Sequence, residues 1–164
     1  MPIQKVAVER FIVVSSRSFA EVVGAIDTAI GHPDIHTFWK DIAAAHSWNQ
    51  LEETIHAVLG NSGFMEFTRF DHGQFLKKGG VVPAPQIVRI VLGNPLIMKR
   101  MAEHVPDAGS YAPVTILVDE RPDGVHISYD SMASFLAPYG NWSALAVAQE
   151  LDAKVEALIT AAAG

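Results

Sequence analysis

"VTILVDERPDGVHISYD" (Val114–Asp130) is the stretch that decides the predicted fold of this chain. Two segments rich in β-branched residues, Val114–Glu120 and Val125–Tyr129, flank the turn RPDG. In this turn Pro122 presets its own φ angle and Gly124 tolerates a positive one, so the chain can reverse tightly. The pattern therefore predicts an antiparallel β-hairpin.

Other strands precede this hairpin, and a long helix follows it. The same residue types predict strands from Val6 to Val14, from Phe64 to Phe70 and from Ile87 to Leu92. Asn141 is a suitable N-cap for a helix that runs from Trp142 to about Ala162. Strands that are grouped together between helices predict an α+β fold, in which an antiparallel sheet carries helices mainly on one face.

Helical signals also occur between the first two strands and after the third. Ser18 and Glu21 form a capping box at the start of a first helix, and residues 32–63 contain two more helical patterns. Asn94 is a preferred N-cap residue type and predicts a short helix after the third strand. We expect residues 1–164 to form a single domain, with 32–63 as a helical insertion after the first helix.

Composition excludes several classes of protein. The 164 residues are 49% hydrophobic and carry a formal net charge of -6, the wrong sign for a protein that gains affinity from nucleic-acid phosphates. The absence of cysteine excludes disulfides and thiolate ligands, so a metal would need histidine or carboxylate. No apolar run reaches the roughly 18 residues of a membrane span. We therefore expect a cytoplasmic protein that binds neither nucleic acid nor membrane.

Asp71 and His72 end the second predicted strand and are the first candidates for chemistry. A catalytic interpretation makes His72 a general base, or a metal or haem ligand, that Asp71 or another carboxylate orients. Neighbouring residues on a strand point to opposite faces, however, so a direct pair would require a turn. The alternative is that Asp71 caps the following QFLKK segment while His72 covers the sheet edge.

Asn94 and a set of large apolar residues suggest a binding site. The helix that starts at Asn94–Pro95 would offer backbone amides to a ligand, unless Asn94 serves only as a cap. Phe67, Met98 and Trp142 belong to an apolar set that exceeds the needs of a thin core, and apolar ligands often lie between a sheet and a helix. The common protease, hydrolase and nucleotide motifs, including HExxH, GxSxG and GxGxxG, do not occur.

The order of motifs in "FDHGQFLKKGGVVPAPQIVRIVLGNPLIMKRMAEHVPDAGSYAPVTILVDERPDGVHISYDSM" (Phe70–Met132) resembles a known family. A hydrophobic-Asp-His element precedes a strand that leads into Gly-Asn-Pro. A helix with a methionine, a strand entered through a proline, and a hairpin that leads into a Ser-Tyr strand follow. This order is similar to that of the family called domain of unknown function 302.

The resemblance implies a TATA-binding-protein-like fold with the order β-α-β4-α, and it implies a homodimer. It does not imply a reaction. The positions that match the family's motif residues are Asp71, His72, Asn94, Pro95 and Tyr129.

Three hypotheses for function follow from these observations. The first is a dimeric protein that holds a small, partly apolar molecule between the sheet and the C-terminal helix. Its expected ligand contacts are His72, Asn94, Phe67, Met98, Tyr129 and Trp142. The second is an enzyme that uses His72, and the third is a protein-interaction module with Asp71 and His72 at the dimer interface. The cofactor, if one is bound, is left open.

Overall fold

The computed structural model describes residue 3 and residues 5–164. The five strands of the described part are β1 (Arg10–Ser15), β2 (Met65–Asp71), β3 (Ile87–Gly93), β4 (Val114–Arg121) and β5 (Gly124–Asp130). The α-helices are α1 (Phe19–Ala29), α2 (Ile35–Ala44), α3 (Trp48–His56), α4 (His72–Lys78), α5 (Pro95–Ala102), α6 (Met132–Leu136) and α7 (Trp142–Ala163). Short 3-10 turns occur at Pro106–Ser110 and Ala137–Tyr139.

The strands form one antiparallel sheet in the order β1-β5-β4-β3-β2. The predicted hairpin is confirmed: Arg121 pairs with Gly124, whose φ angle of 138° suits the absence of a side chain. The predicted α+β class is also confirmed. The strands form one antiparallel sheet, and helices lie between the strands and after the last strand in the chain.

The main core lies between one face of this sheet and the helices α1 and α7. Strand residues at alternate positions, such as Ile116, Val118 and Ile127, are fully buried against these helices. On the opposite face of the sheet, Ile12 and Val14 of the edge strand β1 are about half exposed. The helices therefore cover mainly one face, as the sequence predicts.

The helices α2 and α3 form a second, smaller core against the end of β2. Phe38, Ile55 and Met65 are buried at its centre. Within the described residues, none of the helices combines the length and the apolar character that a membrane crossing requires.

Candidate functional site

Asp71 and His72 lie at the junction between β2 and α4. The carboxylate of Asp71 accepts a hydrogen bond of 3.0 Å from the backbone N–H of Gln74, so Asp71 is the N-cap of α4. His72 is the first residue of α4 and is exposed, and its ring stacks on Phe70 with 6.2 Å between centroids. Asp71 therefore has the position and the hydrogen bond of a helix cap, as the second interpretation of this residue predicts.

Asn94 is the N-cap of α5, and its neighbourhood offers a ligand fewer donors than the sequence suggests. The side-chain oxygen of Asn94 accepts from the N–H of Leu96 at 2.9 Å. The carbonyl of Asn94 accepts from the N–H groups of Ile97 and Met98, both at 3.1 Å. The expectation of free amides at this helix start is corrected, because these first N–H groups already have partners.

Phe67, Asn94 and Met98 line one cavity of about 270 Å³, which we call the Phe67–Met98 cavity. It lies where the end of β3 and the start of β4 meet α5 and α7. Trp39 of α2 forms a further wall. Other residues that line the cavity are Met101, Gly109, Pro113, Val114 and Leu151.

The Phe67–Met98 cavity runs from a buried floor to an open rim. Met101 and Leu151 are buried and form the floor, whereas Trp39 is 50% exposed and stands at the rim. The rings of Trp39 and Phe67 are 6.1 Å apart between centroids. No charged side chain lines this cavity. The amide of Asn94 is held by Leu96 and by a hydrogen bond of 3.0 Å to the carbonyl of Gly63.

Trp142 and His72 lie outside the Phe67–Met98 cavity, which corrects the expected grouping of side chains. Trp142 is the first residue of α7 and is 84% exposed. Leu151, which does line the cavity, follows nine residues later, or two and a half turns at about 3.6 residues per turn. Trp142 is therefore on the opposite side of α7 from the cavity.

Tyr129 is also separate from the cavity and belongs to a buried network around Asp152 of α7. Asp152, which is 5% exposed, accepts hydrogen bonds from the hydroxyls of Tyr129 and Ser131, both at 2.6 Å. It also accepts from the N–H groups of Met132 at 2.8 Å and Ala133 at 3.0 Å. Burial, together with the Asp152 carboxylate, raises the pKa of Tyr129 above that of a free tyrosine. This network joins α7 to the end of β5.

The family described as domain of unknown function DUF302 matches residues 40–162. The chain belongs to the DUF302 family. The solved structure entitled "Crystal structure of uncharacterized conserved protein DUF302 from Bacillus stearothermophilus" is similar to this structure, with a TM-score of 0.66. The similarity covers 93% of this chain and 97% of that chain at 12% sequence identity, so it shows the fold alone. No curated protein matches the chain.

The motif positions of this DUF302 protein are thus divided among three places. Asn94 lies at the Phe67–Met98 cavity, and Tyr129 lies in the Asp152 network. Asp71 lies in a wider groove of about 640 Å³ at the β2 edge, together with Lys77. The fold does not bring these motif residues into a single catalytic group.

Asp27, His32 and Glu66 form a cluster whose ligand-type atoms lie within 4.8 Å of one another. Arg69 occupies this cluster, because its guanidinium donates to all four carboxylate oxygens of Asp27 and Glu66. His72, the sequence's best metal candidate, is not a member. The cluster is consequently an ion-paired junction between α1 and β2, in which Arg69 bridges both carboxylates.

Proposed function

We propose that this DUF302 protein binds a small, largely apolar molecule in the Phe67–Met98 cavity. The main support for the proposal is a pocket of about 270 Å³ that is lined by apolar side chains and opens to the surface beside the main core. Sites for small molecules are concave and mostly apolar, and this cavity of about 270 Å³ is slightly smaller than their usual lower size of about 300 Å³.

The position of the cavity supports the same proposal. Side chains from α2, α5, α7, β2 and β4 converge on it, and such a meeting of several elements is typical of ligand sites. Met98 and Met101 lie on its wall, and methionine adapts its shape to different apolar ligands. The contacts of the bound molecule are then made with these side chains, and His72 does not contribute.

Calorimetric titration of indole into the purified protein tests the proposal, after native mass spectrometry has shown whether a molecule copurifies.

Two variants are designed to block the cavity. A Cβ atom added at Gly109 meets no heavy atom within 4 Å, so Gly109→Leu introduces a larger residue at the cavity lining without a clash at its Cβ. Met98→Trp enlarges a lining side chain. The matched control is Gly24→Leu, since Gly24 also has open space around it but lies on α1.

The expected result is that the wild-type protein and Gly24→Leu bind indole equally, whereas the blocking variants bind at least about tenfold more weakly. A wild-type protein that arrives without a ligand and does not bind indole would contradict the proposal. Unchanged affinity in both Gly109→Leu and Met98→Trp would also contradict it.

We also propose that the protein is a homodimer, the state that the family resemblance implies. The face of the sheet that lies opposite α1 and α7 supports this proposal. Ile12 is 54% exposed and Val14 is 49% exposed on this face. Exposed apolar patches on soluble proteins often mark interaction surfaces. A second copy that packs against β1 would remove both side chains from water.

A further inference from the structure

We infer that the Phe67–Met98 cavity takes an uncharged aromatic molecule of about two fused rings, and that Trp39 selects it. The inference rests on the proposed function of this cavity. It adds the chemical class of the ligand and names a specificity-determining residue in α2. Three features of the wall lead to it: its lack of charge, its volume and its aromatic rim.

The polarity of the wall argues for an uncharged ligand. The lining residues contribute no carboxylate, ammonium or guanidinium group. The side-chain amide of Asn94 already forms hydrogen bonds with the backbone of Leu96 and Gly63. The backbone carbonyl of Asn94 already accepts hydrogen bonds from the first turn of α5. A charge that enters such a site loses its hydration and gains no partner in return. Charged molecules of the same shape are therefore discriminated against.

The volume sets the size of the ligand. An engineered apolar cavity of about 150 Å³ holds a single benzene ring. The Phe67–Met98 cavity has about 270 Å³, which is room for one more ring. A single ring would leave part of the floor at Met101 and Leu151 without contacts, and empty space forfeits dispersion energy.

The rim and the wall favour an aromatic ligand over a saturated one. The rings of Trp39 and Phe67 are tilted by 35° at a centroid distance of 6.1 Å. Aromatic rings prefer offset or edge-to-face contacts with one another, and thioethers contact ring edges favourably. Both Met98 and Met101 supply a thioether to the wall.

The ring of Trp39 can contact a ligand because half of its surface is not packed against the core. Its neighbour Phe38 is 2% exposed and anchors α2 against Ile55 and Met65. Trp39 itself is half exposed and lines the cavity.

NMR spectra of protein with ¹³C-labelled methionine methyl groups test the inference. Met98 and Met101 report on the cavity, while Met132 lies in another part of the fold and serves as an internal control. The probes are naphthalene, its saturated counterpart decalin, and the anion 2-naphthoate. The protein variants are Trp39→Ala and Trp48→Ala. Trp48 is a matched control because it is exposed to a similar degree, on α3, and does not line the cavity.

We expect naphthalene to shift the methyl signals of Met98 and Met101 but not that of Met132. Decalin and 2-naphthoate should each bind at least about tenfold more weakly than naphthalene. Trp39→Ala should weaken naphthalene binding by about tenfold while its affinity for decalin stays within about twofold. Trp48→Ala should bind as the wild-type protein does.

Two kinds of failure are distinguishable. If none of the three probes shifts Met98 or Met101, both the inference and the proposed function are contradicted. If decalin or 2-naphthoate binds as tightly as naphthalene, or if Trp39→Ala weakens naphthalene and decalin equally, the aromatic class and the role of Trp39 are wrong. The cavity would then remain a binding site for another ligand.

Discussion

At the scale of single residues, Asp152 shows how this fold accommodates a carboxylate in its core. An isolated buried charge is strongly unfavourable, and proteins compensate for it with hydrogen bonds. Asp152 has four such bonds, from two hydroxyls and two backbone N–H groups. Those donors belong to the junction of β5 and α6, so one side chain fixes α7 against this turn.

We expect Asp152→Ala to lower the free energy of unfolding by about 3 kcal/mol, because it leaves several buried donors without an acceptor. Glu150→Ala is a matched control on the same helix. It removes an exposed ion pair with Arg100, and such pairs contribute at most about 1 kcal/mol. Urea denaturation of both variants measures the difference. Equal losses would show that the Asp152 network does not stabilise the fold.

The raised pKa of Tyr129 predicts how stability depends on alkaline pH. Tyr129 keeps its proton in the folded protein above pH 10, whereas a free tyrosine loses it near that value. The folded state then binds more protons than the unfolded state, so stability falls as pH rises above 10, by up to about 1.4 kcal/mol per pH unit. The hydroxyl of Tyr111 raises the pKa of Tyr139 to about 12, which changes stability in the same direction, but solvent screens this less buried pair.

Tyr129→Phe removes one of these two contributions. Its free energy of unfolding should decline less steeply between pH 10 and pH 11.5 than that of the wild-type protein, in urea titrations at each pH. Identical slopes would mean that Tyr129 ionises alike in both states.

Individual side chains were predictable from the sequence where a local rule governs them. The caps at Asp71 and Asn94 follow from their position before a helix. Trp142 was assigned to the apolar set by residue type alone, although its spacing of nine residues from Leu151 already places the two on opposite sides of α7. Asp152 carried a signal that could have found it: it is a charged residue between Ala148 and Val155 on the apolar stripe of α7.

At the scale of elements, Gly31 fixes how the α2–α3 segment joins the sheet. The N–H of Gly31 donates to the carbonyl of Phe64 at 2.9 Å, and its carbonyl accepts from Glu66 at 2.8 Å. A Cβ atom at this position would lie 1.8 Å from the carbonyl oxygen of Val58. The two ends of the segment therefore meet backbone to backbone, and this holds Trp39 of α2 beside the Phe67–Met98 cavity.

Gly31→Ala should consequently lower the free energy of unfolding by at least about 2 kcal/mol, since the backbone must move apart. It should also weaken ligand binding by displacing α2. Gly24→Ala, at an exposed position of α1 with open space around it, should leave binding unchanged and raise stability by up to about 1 kcal/mol. Thermal unfolding and indole titration distinguish the two variants. A fully stable Gly31→Ala protein would contradict the described contact.

Elements with a clear period were predictable, and short ones were less so. The hairpin from Val114 to Asp130 combines alternation with a turn of known chemistry, and both strands lie where predicted. The first strand begins at Arg10 rather than at Val6, because strand ends depend on pairing with β5. Helix α6 spans only Met132–Leu136, which is too short to show a helical period.

At the scale of the whole molecule, the α+β class was predictable from the sequence, whereas only some of the residues that line the cavity were. Phe67 and Met98 were expected to share a pocket, and they line the same void. Trp39 and Leu151 also line it, but they come from α2 and α7, which are far apart in sequence. Such a meeting depends on how the elements pack together, and no local pattern encodes it.

The proposed homodimer predicts a change of mass. Size-exclusion chromatography with light scattering should give twice the mass of the chain for the wild-type protein. The double variant Ile12→Lys, Val14→Lys places charge on the exposed face of β1 and should elute as a monomer. Ala153→Lys, at an exposed position of α7, is the matched control and should remain dimeric. A monomeric wild-type protein would contradict the proposal.

The proposed function requires an apolar, ligand-sized cavity between Phe67, Met98 and Leu151. A crystal structure determined under xenon pressure tests it most directly, because apolar cavities stay dry and bind xenon. We expect a strong xenon peak between these three side chains, or a bound apolar molecule that xenon does not displace. Side chains that close the void, or a chain of ordered water molecules inside it, would contradict the claim.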